Sequence, residues 1–482
     1  MSQQDFTLSN FSQLLSYKPL YFIFLKIWIL LFGPEAFSVR FPSVIFGCMA
    51  VWAIYYLGKE FCDKRVGLIA AFLLAINCFH IYHSQQTRHF TLLVLISIFS
   101  YLFFLRALRQ KNNRSEIFRI IFLNIVMIFI HPYAWTLVFA QMVCVFFFIK
   151  GNNRRQWYSF YTLGGIFFVL WVVMINKNQI WHNIWWVPKS GLEAFGETFQ
   201  TFVYGGYRYG LDDYLISFKS PGIILFLFLC WMFFFLRGIF SKHLFERTSS
   251  FVKSSVLIWI FFPIILAWLI SFIKPIFIIK HLIICMPAFC LITAMGIIRL
   301  GDRWKIFFVL GVIFIMGLYP LSIIYFQNNN IDWRSAVYSV KASIGQDDAI
   351  IVATSSELAP FLYYFGSDPR QSLHNYFSSY YCRMGMDGHC RDVFSERGHR
   401  VMGIPQNQGK VSDCPSCRLD ERLSLWVAEP PLVVWLMVSR WESMEDKLYL
   451  IGKLDIFYHR QRTLFFHGVE VIKFIIRNKK NS

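Results

Sequence analysis

The stretch IYHSQQTRHFTLLVL, residues 81 to 95, sets His83, Ser84, Gln85, Gln86, Arg88 and His89 between two apolar runs. An arginine flanked by imidazoles can hold an anionic headgroup, because donors that converge on a phosphate offset its charge. Lys280 and His281 make a second polar break, just ahead of the apolar run that begins at Leu282. Cations at one membrane depth on different helices could share a single phosphate. Each alone is equally an interfacial side chain reaching toward headgroups. A reaction at this site would also need a general base. Ahead of the long loop 176–221, that side of the chain offers two carboxylates, Asp5 and Glu35. Glu35, in FGPEAFSVR, also reads as a carboxylate near a helix N-terminus, and Asp5 as part of a loose chain end. Glu193, Glu197, Asp212 and Asp213 in the long loop read as solvated acids.

Five histidines, His80, His83, His89, His131 and His281, fall near the same rim. None shows the close spacing of a known metal-ligand set, so interfacial hydrogen bonding is their better account. A divalent ion assisting elsewhere is left open. Seven of the eleven cysteines lie in or beside apolar runs and read as small fillers. The other four, Cys382, Cys390, Cys414 and Cys417, fall within 36 residues of one another. In an oxidising compartment they suggest two disulfides; CPSC is also half of a zinc-site pattern. Trp181, Trp185, Trp186, Tyr204, Tyr207 and Tyr209 in the long loop suit either membrane anchoring or a surface for sugar rings and lipid tails.

The elements that must position these residues are helices. Of 482 residues, 56% are hydrophobic and only 16% are charged, against about a quarter charged in soluble domains. Apolar runs long enough to cross a bilayer predict about ten spans, at 41–58, 66–82, 90–105, 118–130, 133–149, 157–175, 222–236, 254–273, 282–298 and 306–325. The formal charge of +19 comes from Lys and Arg clusters in alternate loops. That is the pattern of cytoplasmic loops, not of a nucleic-acid-binding face. The other loops, with residues 83–89, 131–132, 176–221 and 274–281, then face outward, as does everything after 325. Residues 1–40 must also begin outside, which suggests that an N-terminal span is missing. No cleavable signal peptide is visible, since the first apolar run carries Lys26.

From residue 326 the pattern changes. NNNIDWRSAVYSVKASIGQDDAIIVATSSELAPFLYYFG predicts a helix, a tight turn, a buried strand and another helix. Further strands are expected at LSLWVAEP, LVVWLMVS, LDIFYHR and VEVIKFII. The expected fold is an α-helical polytopic membrane domain over 1–325 and an extracytoplasmic α/β domain over 326–482.

KPLYFIFLKIWILLFGPEAFSVRFPSVIFG, VGLIAAFLLAINCFHIYHSQQTRHFTLLVLISIFSYLFFLRAL, IIKHLIICMPAFCLITAMGI and IDWRSAVYSVKASIGQDDAIIVA follow one another in the order found in the C-type (GT-C) membrane glycosyltransferases. The chain resembles their bacterial protein-mannosyltransferase-like group, which includes the aminoarabinose transferases of lipid A. The resemblance implies transfer of a sugar from a polyprenyl phosphate to a lipid, protein or glycan acceptor, outside the bacterial inner membrane. It implies a carboxylate in the first outer loop that activates the acceptor, and cations that hold the lipid phosphate. Lys18 matches the family's basic residue before Pro-Leu, Glu35 and Arg40 its E…R.PS stretch, Arg88 its SQ…R arginine, and Lys280 its later basic residue. Asp5 is then the expected acid, with Lys18, Arg88 and Lys280 as phosphate cations and His83, His89 and His281 beside them. Gln3 and Gln4 stand where the family has an acidic pair, Gln86 where it has an acid, and Lys280-His281 where it has arginine-tyrosine. These departures keep a catalytically inactive relative in view. A lipid-linked carbohydrate transporter or binding protein is the other alternative, though it would want polar groups at mid-membrane depth, interrupted helices and an inward-facing route.

Overall fold

The computed structural model describes residues 19–109, 114–149, 157, 161–162, 165–166, 190–205, 221–240, 250–326, 332–353, 358–366, 393–396, 399–403, 431–439, 444–467 and 469–477. The chain divides into two units, Met1–Gln327 and Asn328–Ser482.

The regular elements of the described first unit are all helices, since a bilayer leaves no other way to satisfy every backbone N–H and C=O within one segment. Its helices are α1 (Pro19–Phe32), α2 (Ala36–Phe61), α3 (Lys64–Ala75), α4 (Cys78–Ser84), α5 (Phe90–Arg109), α6 (Arg114–Ile130), α7 (Ala134–Phe148), α8 (Glu193–Tyr204), α9 (Pro221–Ile239), α10 (Ser250–Ser271), α11 (Met286–Ile298) and α12 (Arg303–Phe326). A 3-10 helix, Ile279–Cys285, leads directly into α11. Six described helical segments are long and apolar enough to cross a membrane, and α3 with α4 makes a seventh if a bent pair counts as one. The protein is multi-pass. Of the ten expected spans, 157–175 lies almost wholly outside the described residues.

The span expected at 66–82 is not one straight helix. α3 and α4 meet at 62°. Asn77 explains the break: its Oδ1 accepts from the His80 backbone N–H at 3.0 Å, capping a new helix instead of continuing the old one. The loop expected at 176–221 contains α8, and the one at 274–281 ends in the 3-10 helix.

Several devices tie the described helices together. Three helices are tied by a closed polar ring at the buried contact of α5, α6 and α7. In it Ser100 Oγ donates to Asn124 Oδ1 (2.7 Å), Asn124 Nδ2 to Gln141 Oε1 (2.8 Å) and Gln141 Nε2 back to Ser100 Oγ (2.8 Å). Polar side chains in such surroundings act as interhelical glue. Elsewhere small residues let backbones touch. A Cβ on Gly296 of α11 would lie 1.9 Å from the Phe234 carbonyl oxygen of α9, and one on Gly238 would lie 2.0 Å from that of Ile292. At the C-terminal ends of the same helices, Arg237 Nη2 donates to the Arg299 carbonyl and Arg299 Nη1 to that of Arg237, both at 3.1 Å. Arg106, at the end of α5, grips Glu60 of α2 with both arms of its guanidinium.

The second unit carries a six-stranded mixed sheet. Its elements are α13 (Trp333–Ser343), β1 (Ala349–Val352), α14 (Leu358–Phe365), β2 (Val393–Glu396), β3 (His399–Gly403), β4 (Val433–Ser439), α15 (Met444–Phe457), β5 (Tyr458–Phe466) and β6 (Val469–Ile476). The strand order is β2-β3-β1-β4-β6-β5, with β1 parallel to β3 and β4 and the other pairs antiparallel. α13 and α14 cover one face through Trp333, Val337, Phe361 and Phe365, packed on Ile350, Val352 and Trp435. α15 covers the other through Leu450, Ile451 and Leu454, packed on Ile351, Leu436 and Phe474. The strand expected at LDIFYHR is corrected here: residues up to Phe457 are helical, and β5 begins at Tyr458. The spacing of buried Leu450, Ile451 and Leu454 is helical, and it prevails over the local β-branched and aromatic content. The strand expected at LSLWVAEP and the four clustered cysteines lie outside the described residues.

The glycine contact gives a direct check on this packing. Gly296→Ala pushes a methyl group into the α9 backbone and should cost about 1–3 kcal/mol. Gly311→Ala, where a Cβ meets nothing within 4 Å, should leave stability unchanged or slightly higher. Thermal unfolding of the two variants in detergent reads the difference.

Candidate active site

The polar knot lies where four segments end together: α4, the start of α5, the α6–α7 connection and the 3-10 helix. Its centre is a set of three imidazoles. His89 precedes α5, His131 follows α6, and His281 sits in the 3-10 helix. They are 2%, 2% and 6% exposed. The rings of His89 and His131 stack with centroids 4.6 Å apart and planes 9° from parallel. The His281 ring lies 4.2 Å from that of His131. Phe90 stacks on His281 at 5.9 Å and touches His83 at 4.4 Å, so His83 joins the group through an aromatic spacer. Tyr21 of α1 meets His89 edge-on at 5.9 Å.

Hydrogen bonds fix how the set is held. The Tyr133 backbone N–H donates to His131 Nδ1 at 3.1 Å, so in neutral His131 the ring proton resides on Nε2. The Tyr133 hydroxyl donates to the Ile276 carbonyl at 3.0 Å, tying the α6–α7 connection to the segment leading into the 3-10 helix. His83 Nδ1 lies 3.1 Å from Gln86 Oε1. Ser43 of α2 donates to the Arg88 carbonyl at 3.2 Å, and Thr91 donates to the Ser43 carbonyl at 3.0 Å. The backbone around Arg88 is therefore pinned to α2. Its side chain is exposed, while Lys280 is half-buried.

α8 braces this arrangement. Asn77 Nδ2 donates to the Phe202 carbonyl at 2.6 Å, so the residue that breaks α3 from α4 also fastens α8. At the other end of α8, Trp268 Nε1 donates to the Gly191 carbonyl at 3.1 Å. Burial pushes the Tyr204 phenol above its ordinary range, and nearby Glu197 adds to the rise. Glu193, expected to be solvated, is exposed, with Oε1 accepting from the Gly191 N–H at 2.9 Å.

Among the expected site residues, the fold brings His83, His89 and His281 into one cluster and sets Arg88 and Lys280 beside two of its members in the chain. Glu35 occupies the N-cap position of α2, exposed and without a side-chain capping bond. Asp5 and Lys18 lie outside the described residues, as do Trp181, Trp185, Trp186, Tyr207, Tyr209, Asp212 and Asp213. His131, read from sequence only as one of five rim histidines, is the ring that joins the other two. Tyr133 and Asn77 were not singled out; the residues HPY and IN within apolar runs were the available signal. Among the described residues, no three His, Cys, Asp or Glu side chains are arranged to hold a metal ion.

Residues 17–178 match the family described as dolichyl-phosphate-mannose-protein mannosyltransferase. No curated protein sequence matches the chain. In structure the chain is similar to ArnT from Cupriavidus metallidurans in the apo state, with 10% identity over 95% of this chain and 88% of that one and a TM-score of 0.54. The same protein bound to undecaprenyl phosphate gives 10% identity, the same coverage and a TM-score of 0.53. The oligosaccharyltransferase of Archaeoglobus fulgidus, tethered with an acceptor peptide, gives 13% identity over 96% of this chain and 66% of that one, at a TM-score of 0.50.

Asn77 offers a test of how the knot is braced. Asn77→Ala removes a helix cap and a buried bond to α8, at a cost of about 1–2 kcal/mol. Hydrogen exchange should speed up at the amides of Glu193–Tyr204 and His80, while those of α11 stay protected.

Proposed function

We propose that this chain, which has the C-type membrane glycosyltransferase fold, transfers a sugar from a polyprenyl-phosphate carrier to an acceptor at the outer face of a bacterial inner membrane. The observation that carries the reading is the contact of the His131 ring with the rings of both His89 and His281. It draws the two cation-bearing segments, those of Arg88 and Lys280, to one end of the bundle.

In this reading the carrier's tail lies against the apolar helices and its phosphate sits among Arg88, Lys280 and Lys18, with His83, His89 and His281 lining the same region. The acceptor oxygen attacks the anomeric carbon, and the bond from that carbon to the phosphate oxygen breaks. Negative charge grows on the departing phosphate, and fixed cations lower the barrier because they need no reorganisation as that charge appears. Asp5 is the proposed base that takes or orients the acceptor proton, with Glu35 the other carboxylate of the first outer loop. The match of ArnT, whose structure was obtained with undecaprenyl phosphate, supports a polyprenyl-phosphate carrier. The positive-inside pattern supports placing this end outside and the 326–482 domain in the periplasm.

The full-length protein in lipid nanodiscs, given radiolabelled undecaprenyl-phosphate hexoses and a cell-envelope extract, should label an acceptor. Arg88→Ala should cut kcat/KM by about 10- to 100-fold, the effect of losing a hydrogen bond to a charged group. Transfer at the native rate by Arg88→Ala, or none by the native chain from any of the hexose carriers, would argue against the reading.

A further inference from the structure

We propose, building on that reading, that His89, His131 and His281 act as one proton-holding unit, which takes up a single proton when the carrier phosphate becomes a monoester and gives it up as the carrier departs.

The chemistry sets the requirement. A polyprenyl-phosphate sugar is a phosphodiester with one negative charge, whereas the carrier left after transfer is a monoester that can bear two. When the acceptor hydroxyl forms its new bond to the anomeric carbon, the electron pair of the old bond stays on the phosphate oxygen. The hydroxyl proton, passed directly or through the carboxylate, ends on an imidazole nitrogen. Diester and alcohol carry one negative charge before transfer. Dianionic monoester and imidazolium carry the same net charge after it. No other reactant is required.

The geometry suits one proton and no more. The three rings come from three chain segments, stand in ring contact and are withdrawn from water. Two positive rings at 4.6 Å in such surroundings repel strongly. Arg88 adjoins His89 and Lys280 adjoins His281 in the chain, so permanent positive charge already stands beside the cluster. A bound dianion offsets it. His131 sits between the other two with its Nδ1 accepting from the Tyr133 N–H, so the proton taken up goes to His89 or His281, and His131 spaces them as the neutral ring. The other titratable or charged groups on the segments packed around the three rings include Tyr21, Lys26, Cys78, His80, Tyr82, His83, Tyr133, Glu193, Glu197, Tyr204, Lys274, Cys285 and Cys290.

The test is calorimetric and needs no turnover. Geranyl phosphate, a short-chain polyprenyl monoester, is titrated into the full-length protein in nanodiscs near pH 8, where the free monoester is already mostly dianionic. Repeating the titration in buffers of different ionisation enthalpy counts the protons taken up. The native protein should take up about one proton for each molecule bound. His89→Phe and His281→Phe each keep a ring in the stack and should take up clearly less than the native protein, about half or below. Arg88→Ala should bind more weakly with uptake per bound molecule unchanged. Binding without uptake by the native protein, or full uptake by either phenylalanine variant, overturns the proton-holding unit and leaves the transferase reading standing. Failure of the native protein to bind geranyl phosphate overturns both. Should one phenylalanine variant not fold, the other carries the same expectation.

Discussion

A bilayer offers no hydrogen-bond partners, so a polar group that this chain takes into its helical unit is costly unless it finds one inside the protein. That constraint organises the first unit. Ser100, Asn124 and Gln141 meet it by closing a ring among three helices, which fixes their rotation about one another. Asn77 meets it twice, spending one end of its amide on the His80 N–H and the other on the Phe202 carbonyl. The cost of stranding a polar group in apolar surroundings makes such contacts specific, because few alternative packings satisfy all of them.

The same constraint gives the polar knot its form. Aromatic contacts hold the imidazoles where charged side chains would need water, and ring stacking lets His89, His131 and His281 pack densely at the end of the bundle. Tyr133 links two segments by its hydroxyl and fixes the tautomer of His131 by its backbone. The arrangement is rigid around the rings and open at Arg88, whose backbone is pinned to α2 while its side chain is exposed. In the transferase reading, an exposed cation on a pinned backbone suits a ligand that arrives by way of the membrane.

In the transferase reading, the demand on the site changes during the reaction. The carrier phosphate enters with one negative charge and leaves able to bear two. Permanent cations alone would hold the product more tightly than the substrate and slow its release. A cluster that gains and loses one proton separates stabilisation of the departing phosphate from its retention. In that reading, Gln86 and Lys280-His281 give the site a proton inventory different from that of the acidic and arginine-tyrosine positions of the family it resembles.

Much of this was legible in the one-dimensional pattern. Long apolar runs and alternate basic loops are enough to specify a multi-pass helical unit, because burial in lipid depends on composition over about 20 residues rather than on partners. The buried strands AIIV and VVWLMVS and the helix of WRSAVYSVKAS were likewise readable from local periodicity. Residues 454–457 have the local composition of a strand but are helical, because a burial pattern that only the packed sheet reveals overrides their β propensity. The 62° break at Asn77 was hidden for a similar reason: an asparagine inside an apolar run is uninformative until its amide has partners. The rim histidines could be counted from the sequence, but not their contacts. His89, His131 and His281 are separated by 42 and 150 positions in the chain, and ring stacking over such separations is decided by helix packing, which no local pattern encodes.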